Sequence, residues 1–347
     1  MMSGGIANKL GLNPHPTAGM SRAPGERRAR WRGWLAQALL IALVAGAALA
    51  LGSHALGALR ARGVQSGFDF LAQPAGFEIS EGWLAFDGGQ AVWRALLAGL
   101  INTVRAALPA ALLAVLLGTL LGIGRLAPHR LARGLCTVYV EALRNVPLLV
   151  QLLMLYFALT QLLPDSDAPI QLASGVWLSQ GGLALPWPAQ GGWRLEWPER
   201  GAFGVTGGAA LSPEYLAVTL ALAFYSAAFV AEIVRAGINS VPRGQVEAAR
   251  ALGLSGAQQL RWVVLPQALR VIVPALTNQL ASLTKNSSLA VAVGYPELVS
   301  VANTAINGTG RAFECIAIVM AVYLLLSLLI AALMNRYNAR VALRGWA

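Results

Sequence analysis

Six apolar runs set what this chain can become, and they cover residues 34–59, 95–123, 135–162, 214–238, 266–294 and 313–333. A bilayer core about 30 Å thick is crossed by about 20 helical residues rising ~1.5 Å each, and every run is that long. In hydrocarbon each backbone N–H and C=O has to be bonded within its own segment, so these runs predict helices rather than open strands. Composition agrees: 56% of the residues are hydrophobic and 12% charged, against about 25% charged in soluble domains. The fold class read from the sequence is an all-α membrane protein with six transmembrane helices.

The net charge of +11 would suit a nucleic-acid binder, but the basic residues sit at the ends of apolar runs rather than on one face, so no nucleic-acid partner is expected. Six spans put both termini on one side. The segments on that side carry eighteen Lys and Arg against four Asp and Glu, and those on the other side eight against eleven. Positive charge marks the cytoplasmic face, which places the N- and C-termini in the cytoplasm.

Between the runs the sequence divides as follows. Residues 1–33, rich in Gly, Pro and Arg, read as a disordered basic cytoplasmic tail, and 34–59 as a retained first helix, because no small-residue cleavage site follows it. Residues 60–94 form an external loop and 295–311 a short external turn. The long insert 161–213 is acidic and rich in Gly and Pro; segments 183–188 and 193–198 alternate about Gly191-Gly192 and predict a small β-hairpin. Residues 341–347 are a cytoplasmic C-terminal tail.

One polar stretch interrupts this pattern inside the membrane-spanning part. In the loop 239–266, Pro242 favours the start of a helix and Gly253 its end, predicting a helix over 243–252. Ten residues span roughly 15 Å, half a hydrocarbon core, and Arg243, Glu247, Arg250 and Arg261 would be costly there. The segment lies outside the bilayer and offers a surface.

Glu247-Ala248-Ala249, then Gly253, then Leu265-Pro266 resemble the EAA signature of ABC importer permeases. A second run, Tyr139-Val-Glu141-Ala-Leu-Arg144-Asn-Val-Pro147-Leu-Leu-Val-Gln151, is similar to the pattern of permeases that import polar amino acids. The resemblance implies a type I permease core of five helices over 95–340, with an extra N-terminal helix as in the larger general L-amino acid permeases. It implies that Glu247, Ala248, Ala249, Gly253, Leu265 and Pro266 couple the permease to an ABC ATP-binding subunit. It also implies Glu141, Arg144, Pro147 and Gln151 as the family motif of the third span. The partners implied are that ATPase, a second, paralogous permease subunit and a periplasmic amino-acid-binding protein, in a bacterial inner membrane.

No G-x-x-x-x-G-K-[ST] sequence occurs, so ATP is expected on the partner subunit and the chain is not expected to be an enzyme. The fifth run is interrupted by Thr284-Lys285-Asn286-Ser287-Ser288, which predicts a broken helix lining a cavity. Lys285, Asn286, Ser287 and Ser288 are candidates for a substrate path; alternatively Lys285 marks the outer interface. Glu232 and Arg235, three residues apart, suit a structural ion pair, and Arg105 is expected to snorkel to the surface. Isolated Cys136 and Cys315 predict no metal site. An ion-coupled amino acid transporter is the alternative, though Glu232 and Lys285 are meagre for proton or ion coupling. The insert 161–213 either touches the binding protein or is a solvated elaboration.

Overall fold

The computed structural model describes residues 67–188, 195–201 and 204–343, and most of 34–57. The expected tail 1–33, residues 60–66 of the first external loop, the turn at Gly191-Gly192 and residues 344–347 lie outside the described residues. The chain divides into two units at Ser66. In the first, the described residues between 34 and 57 are helical, and helix α1, Gln37–His54, is long and apolar enough to span a bilayer.

The second unit is built on α2, Val92–Gly124, and α5, Pro213–Asn239. Their facing surfaces are almost all small: Ala106, Ala110, Ala114, Gly118 and Gly122 on α2, and Ala217, Ala221, Ala227, Ala228 and Ala231 on α5, all buried. A Cβ on Gly118 would lie 2.5 Å from Val230 Cβ, and one on Gly122 would lie 2.7 Å from the Ala231 carbonyl oxygen. Lipid tails are as apolar as leucine, so helices in a bilayer hold together through close packing that small residues permit. Ser212 caps α5, accepting from the Tyr215 N–H at 3.0 Å, and Pro213 stands at its first turn, where a missing N–H costs nothing.

The run 135–162 is not one straight span. It forms α3, Arg130–Asn145, and α4, Leu148–Gln161, whose axes differ by 104°. Pro147 drives Val146 into an extended conformation (φ −96°, ψ 128°), and no helix continues through it. Gln151 repairs the break: its Nε2 donates to the carbonyls of Leu143 and Val146, both at 2.8 Å. These are orphan acceptors of the α3 terminus.

After α5 come α6, Arg243–Ala251, the one-turn α7, Gly256–Gln259, a π-helical turn Leu260–Val264, and α8, Leu265–Asn286. The expected interruption at 284–288 is absent. The helix runs through Asn286 and tightens into a 3₁₀ segment, Ser287–Val293, ended by Gly294 at φ 79°. The hydroxyls that suggested a break bond their own helix instead, Thr284 Oγ1 to the Leu280 carbonyl at 3.0 Å and Ser287 Oγ to that of Thr284 at 2.7 Å. The external turn expected at 295–311 is mostly helix: α9, Leu298–Thr309, begins at the Glu297 cap and ends at Gly310, φ 70°. Helix α10, Ala312–Leu343, is apolar and exposes Ile316, Met320, Leu324 and Leu328 along its length.

The insert is larger than one hairpin. β1 (Ile170–Ala173), β2 (Val176–Ser179), β3 (Gly182–Leu185) and β8 (Ala209–Leu211) form an antiparallel sheet in the order β1-β2-β3-β8. β4 (Trp187–Pro188) pairs with β5 (Leu195–Glu196), Trp187 opposite Glu196, and β6 (Glu199–Gly201) with β7 (Gly204–Thr206). The segment 183–188 read as one strand therefore divides at Pro186, which has no N–H to give a ladder; its first half belongs to the larger sheet.

If backbone-close packing of α2 on α5 holds the unit together, Gly118→Val should cost about 1–3 kcal/mol by overpacking and lower the melting temperature in detergent. Gly134→Ala on α3, where a Cβ meets nothing within 4 Å, should leave it unchanged or raise it.

Candidate functional site

At the end of the bundle where α5 gives way to α6, two arrangements meet. The first is α6 itself. Gly253, at φ 77°, donates to the Arg250 carbonyl at 3.0 Å, and Leu254 to that of Ala249 at 3.2 Å. These two bonds form a Schellman closure, whose left-handed residue is glycine because it lacks a Cβ. Ala249 is buried beneath the helix, while Arg243, Glu247, Ala248, Arg250 and Gly253 are exposed, as is Leu252 at 80%. Val246 packs on Val230, Val234, Val241, Ala268 and Ile272, tying α6 to both α5 and α8. Gln267 Nε2 reaches Gln245 Oε1 at 3.4 Å across the same junction. Leu265 is exposed and Pro266 half-buried at the start of α8. The result is a short helix seated by Val246 at the junction of α5 and α8, with a charged and apolar outer face.

The second arrangement is an ion-pair cluster beside it. Glu232 on α5 is held by Arg125 Nη1 at 2.7 Å and by Arg235 Nε at 3.1 Å. The other guanidinium nitrogen of Arg125 reaches Glu141 of α3 at 3.5 Å, and the Arg144 guanidinium lies 5.3 Å over the Phe229 ring of α5. The pair expected from Glu232 and Arg235 is therefore part of a wider network, in which Arg125 was missed. The motif residues Glu141 and Arg144 face α5 across this network; Pro147 and Gln151 make the α3–α4 bend.

Lys285, Asn286, Ser287 and Ser288 are not brought to this site. They lie about 30 Å along α8 from Leu265 at ~1.5 Å per residue. Lys285 is exposed, Asn286 and Ser288 are half-buried, and buried Ser287 is spent on its own helix. At that end of the bundle the structure instead buries a group of polar residues. Arg105 does not snorkel; it is 8% exposed and paired with Glu81 at 2.9 Å. Long side chains that cannot reach water need an internal counter-charge, and the loop before α2 supplies one. Nearby, Glu297 accepts from the Val299 and Ser300 N–H groups, both at 2.9 Å, and from the Tyr323 hydroxyl. Burial pushes its carboxyl up to about 7, against the pull of those donors. Asn102, Thr103 and Arg105 were visible as a polar group on an apolar helix; what pairs with them was not. Among the described residues no group of His, Cys, Asp and Glu could hold a metal ion.

The chain is similar to known proteins. Residues 114–343 match the family model described as binding-protein-dependent transport system inner membrane component. A putative amino-acid ABC transporter permease protein, YhdX, of Escherichia coli (strain K12) is 38% identical, over 90% of this chain and 94% of its own. The general L-amino acid transport system permease protein AapQ of Rhizobium johnstonii is 37% identical, over 80% and 84%. Among solved structures, the crystal structure of an amino acid ABC transporter with histidines is similar at a TM-score of 0.54 and 29% identity, over 72% of this chain and 94% of that one.

Replacing Gln151 by Leu should leave the Leu143 and Val146 carbonyls without a donor at the bend, at about 1–3 kcal/mol of lost stability. A lower melting temperature with unchanged membrane insertion would show it. With its membrane-spanning helices and a family match over about two thirds of its length, this chain belongs to the binding-protein-dependent transport system inner membrane components, the integral inner-membrane permeases of ABC transporters.

Proposed function

We propose that this chain is a permease subunit of an ATP-driven amino acid importer, and that α6 is the element through which a separate ATP-binding subunit moves the spans. The observation that carries the coupling role is α6: a helix too short and too charged to cross the bilayer, seated by Val246 against a cluster from α5 and α8 yet with Glu247, Arg250 and Leu252 exposed. Exposed leucine beside charge on a fixed mount suits a groove in a partner. Relatives named as amino acid permeases support the substrate class.

The rest of the assembly follows from this reading. ATP is bound by the partner; a second permease subunit, a paralogue of this chain, completes the pathway; and a periplasmic binding protein delivers the amino acid. The eighteen cations against four acids on the α6 side put that face, and both termini, in the cytoplasm. The extra N-terminal helix anchors the chain in the membrane ahead of the five-span core. The β-rich insert 161–213 then faces the periplasm, where its acidic residues are available to the binding protein. Closure of the ATPases and docking of the loaded binding protein each favour an outward-open state energetically, and hydrolysis resets it. Ion coupling is not supported: Glu232, the carboxylate it would use, is already held by two arginines.

Glu247→Lys and Gly253→Val should each reduce uptake and substrate-stimulated ATP hydrolysis at least about tenfold while the protein still inserts. Gly253→Asn should retain most of both, because Asn tolerates the left-handed conformation better than a β-branched residue does. Normal uptake by Glu247→Lys and Gly253→Val would remove the coupling role from α6.

A further inference from the structure

The buried polar group at the outer end of α2 does more than hold the loop. Glu81 presents one carboxylate oxygen to Arg105 Nη1 at 2.9 Å and takes a hydrogen bond from Ser212 Oγ on the other. The Arg105 guanidinium carbon also lies 4.6 Å from the centre of the Tyr215 ring. The loop tip is clasped to α2, since Asn102 Nδ2 donates to the Glu81 carbonyl at 2.8 Å. Beside this contact opens a cavity of about 460 Å³ whose lining includes Ser80, Glu81, Ser212, Glu214 and Gly294. Glu81 thus stands between the cavity and Arg105.

A carboxylate ion-paired with a guanidinium is what an amino acid's own α-carboxylate would supply. With Glu81 in place the site holds two carboxylates and one cation. With Glu81 withdrawn it holds Arg105 and Glu214, the latter fixed by the Tyr156 hydroxyl at 3.2 Å: one positive and one negative group, complementary to a zwitterion.

We propose that Arg105 binds the carboxylate of the incoming amino acid in the outer vestibule, and that Glu81 is a tethered carboxylate that occupies Arg105 until the substrate displaces it. This deepens the importer reading and rests on it. Competition between Glu81 and substrate for one guanidinium follows: whatever weakens the tether strengthens substrate capture, and the reverse.

The test uses the assembled transporter in proteoliposomes, its binding protein and a mixture of radiolabelled proteinogenic L-amino acids, with uptake KM and permease melting temperature both measured. Glu81→Ala should keep transport and lower KM about threefold or more, and Arg105→Gln should cut uptake about tenfold or more. The exchange Glu81→Arg with Arg105→Glu rebuilds the pair with its charges reversed, and should restore the melting temperature without restoring uptake. Uptake restored with it would make the pair structural and overturn the proposal. Should the exchange fail to insert, Arg105→Lys decides: a KM raised about tenfold at an unchanged melting temperature supports carboxylate binding, and an unchanged KM overturns it. Wild-type uptake of no amino acid overturns the importer reading and this one together; wild-type uptake beside a transporting charge-reversed variant overturns this one alone.

Discussion

The contact between α2 and α5 is the constraint on which the rest depends. With Gly118 and Gly122 against Val230 and Ala231, the two helices approach until a single added carbon would collide. Because lipid offers no hydrophobic drive for helix association, this van der Waals contact carries the cohesion of the unit. It also sets positions elsewhere. α5 becomes a central post, and α3, α4 and α8 pack around it. α6 follows its end, joined to it by a three-residue turn.

Polar groups within the spans are placed in two tiers along that post. Near α6, Arg125, Glu141, Glu232 and Arg235 bind three helices together through charge. At the other end, Arg105 and Glu81 fasten the loop before α2 to the α2–α5 pair. Charge at such depth persists only where it is paired, since one partner left alone in low dielectric is costly. Each tier is therefore a latch that opens only if another group takes the place of the one that leaves. A loop carboxylate is exchangeable with a ligand's; a cluster of four side chains on three helices is not. The outer pair joins a loop to a helix, and the inner cluster joins helix to helix.

Much of this was legible in the sequence. The apolar runs located the long helices apart from the bend at 145–148, Pro242 and Gly253 bounded α6 to within a residue, and the signatures at 139–151 and 247–266 pointed to the family. All of these depend on near neighbours: a helix end on its cap, a span on its length. Two of the misreadings have local causes. Pro147 was passed over as a bend because the apolar run continued across it, although a proline that forces its predecessor extended is a local signal. The polar cluster at 284–288 was taken for a break because Thr and Ser bond their own helix as readily as they interrupt one, and sequence does not distinguish the two.

The sequence by itself determined a membrane-embedded helical chain, the place of its polar elbow and the family it belongs to, because length, apolar content and turn chemistry act over a few residues. Only the tertiary structure decided which charges meet. Arg125 and Glu232 are 107 positions apart in sequence, and Arg105 finds Glu81 only because the loop 67–91 folds back over α2. Such pairings arise from packing, where a side chain's partner is set by the path of the whole backbone rather than by its neighbours in sequence.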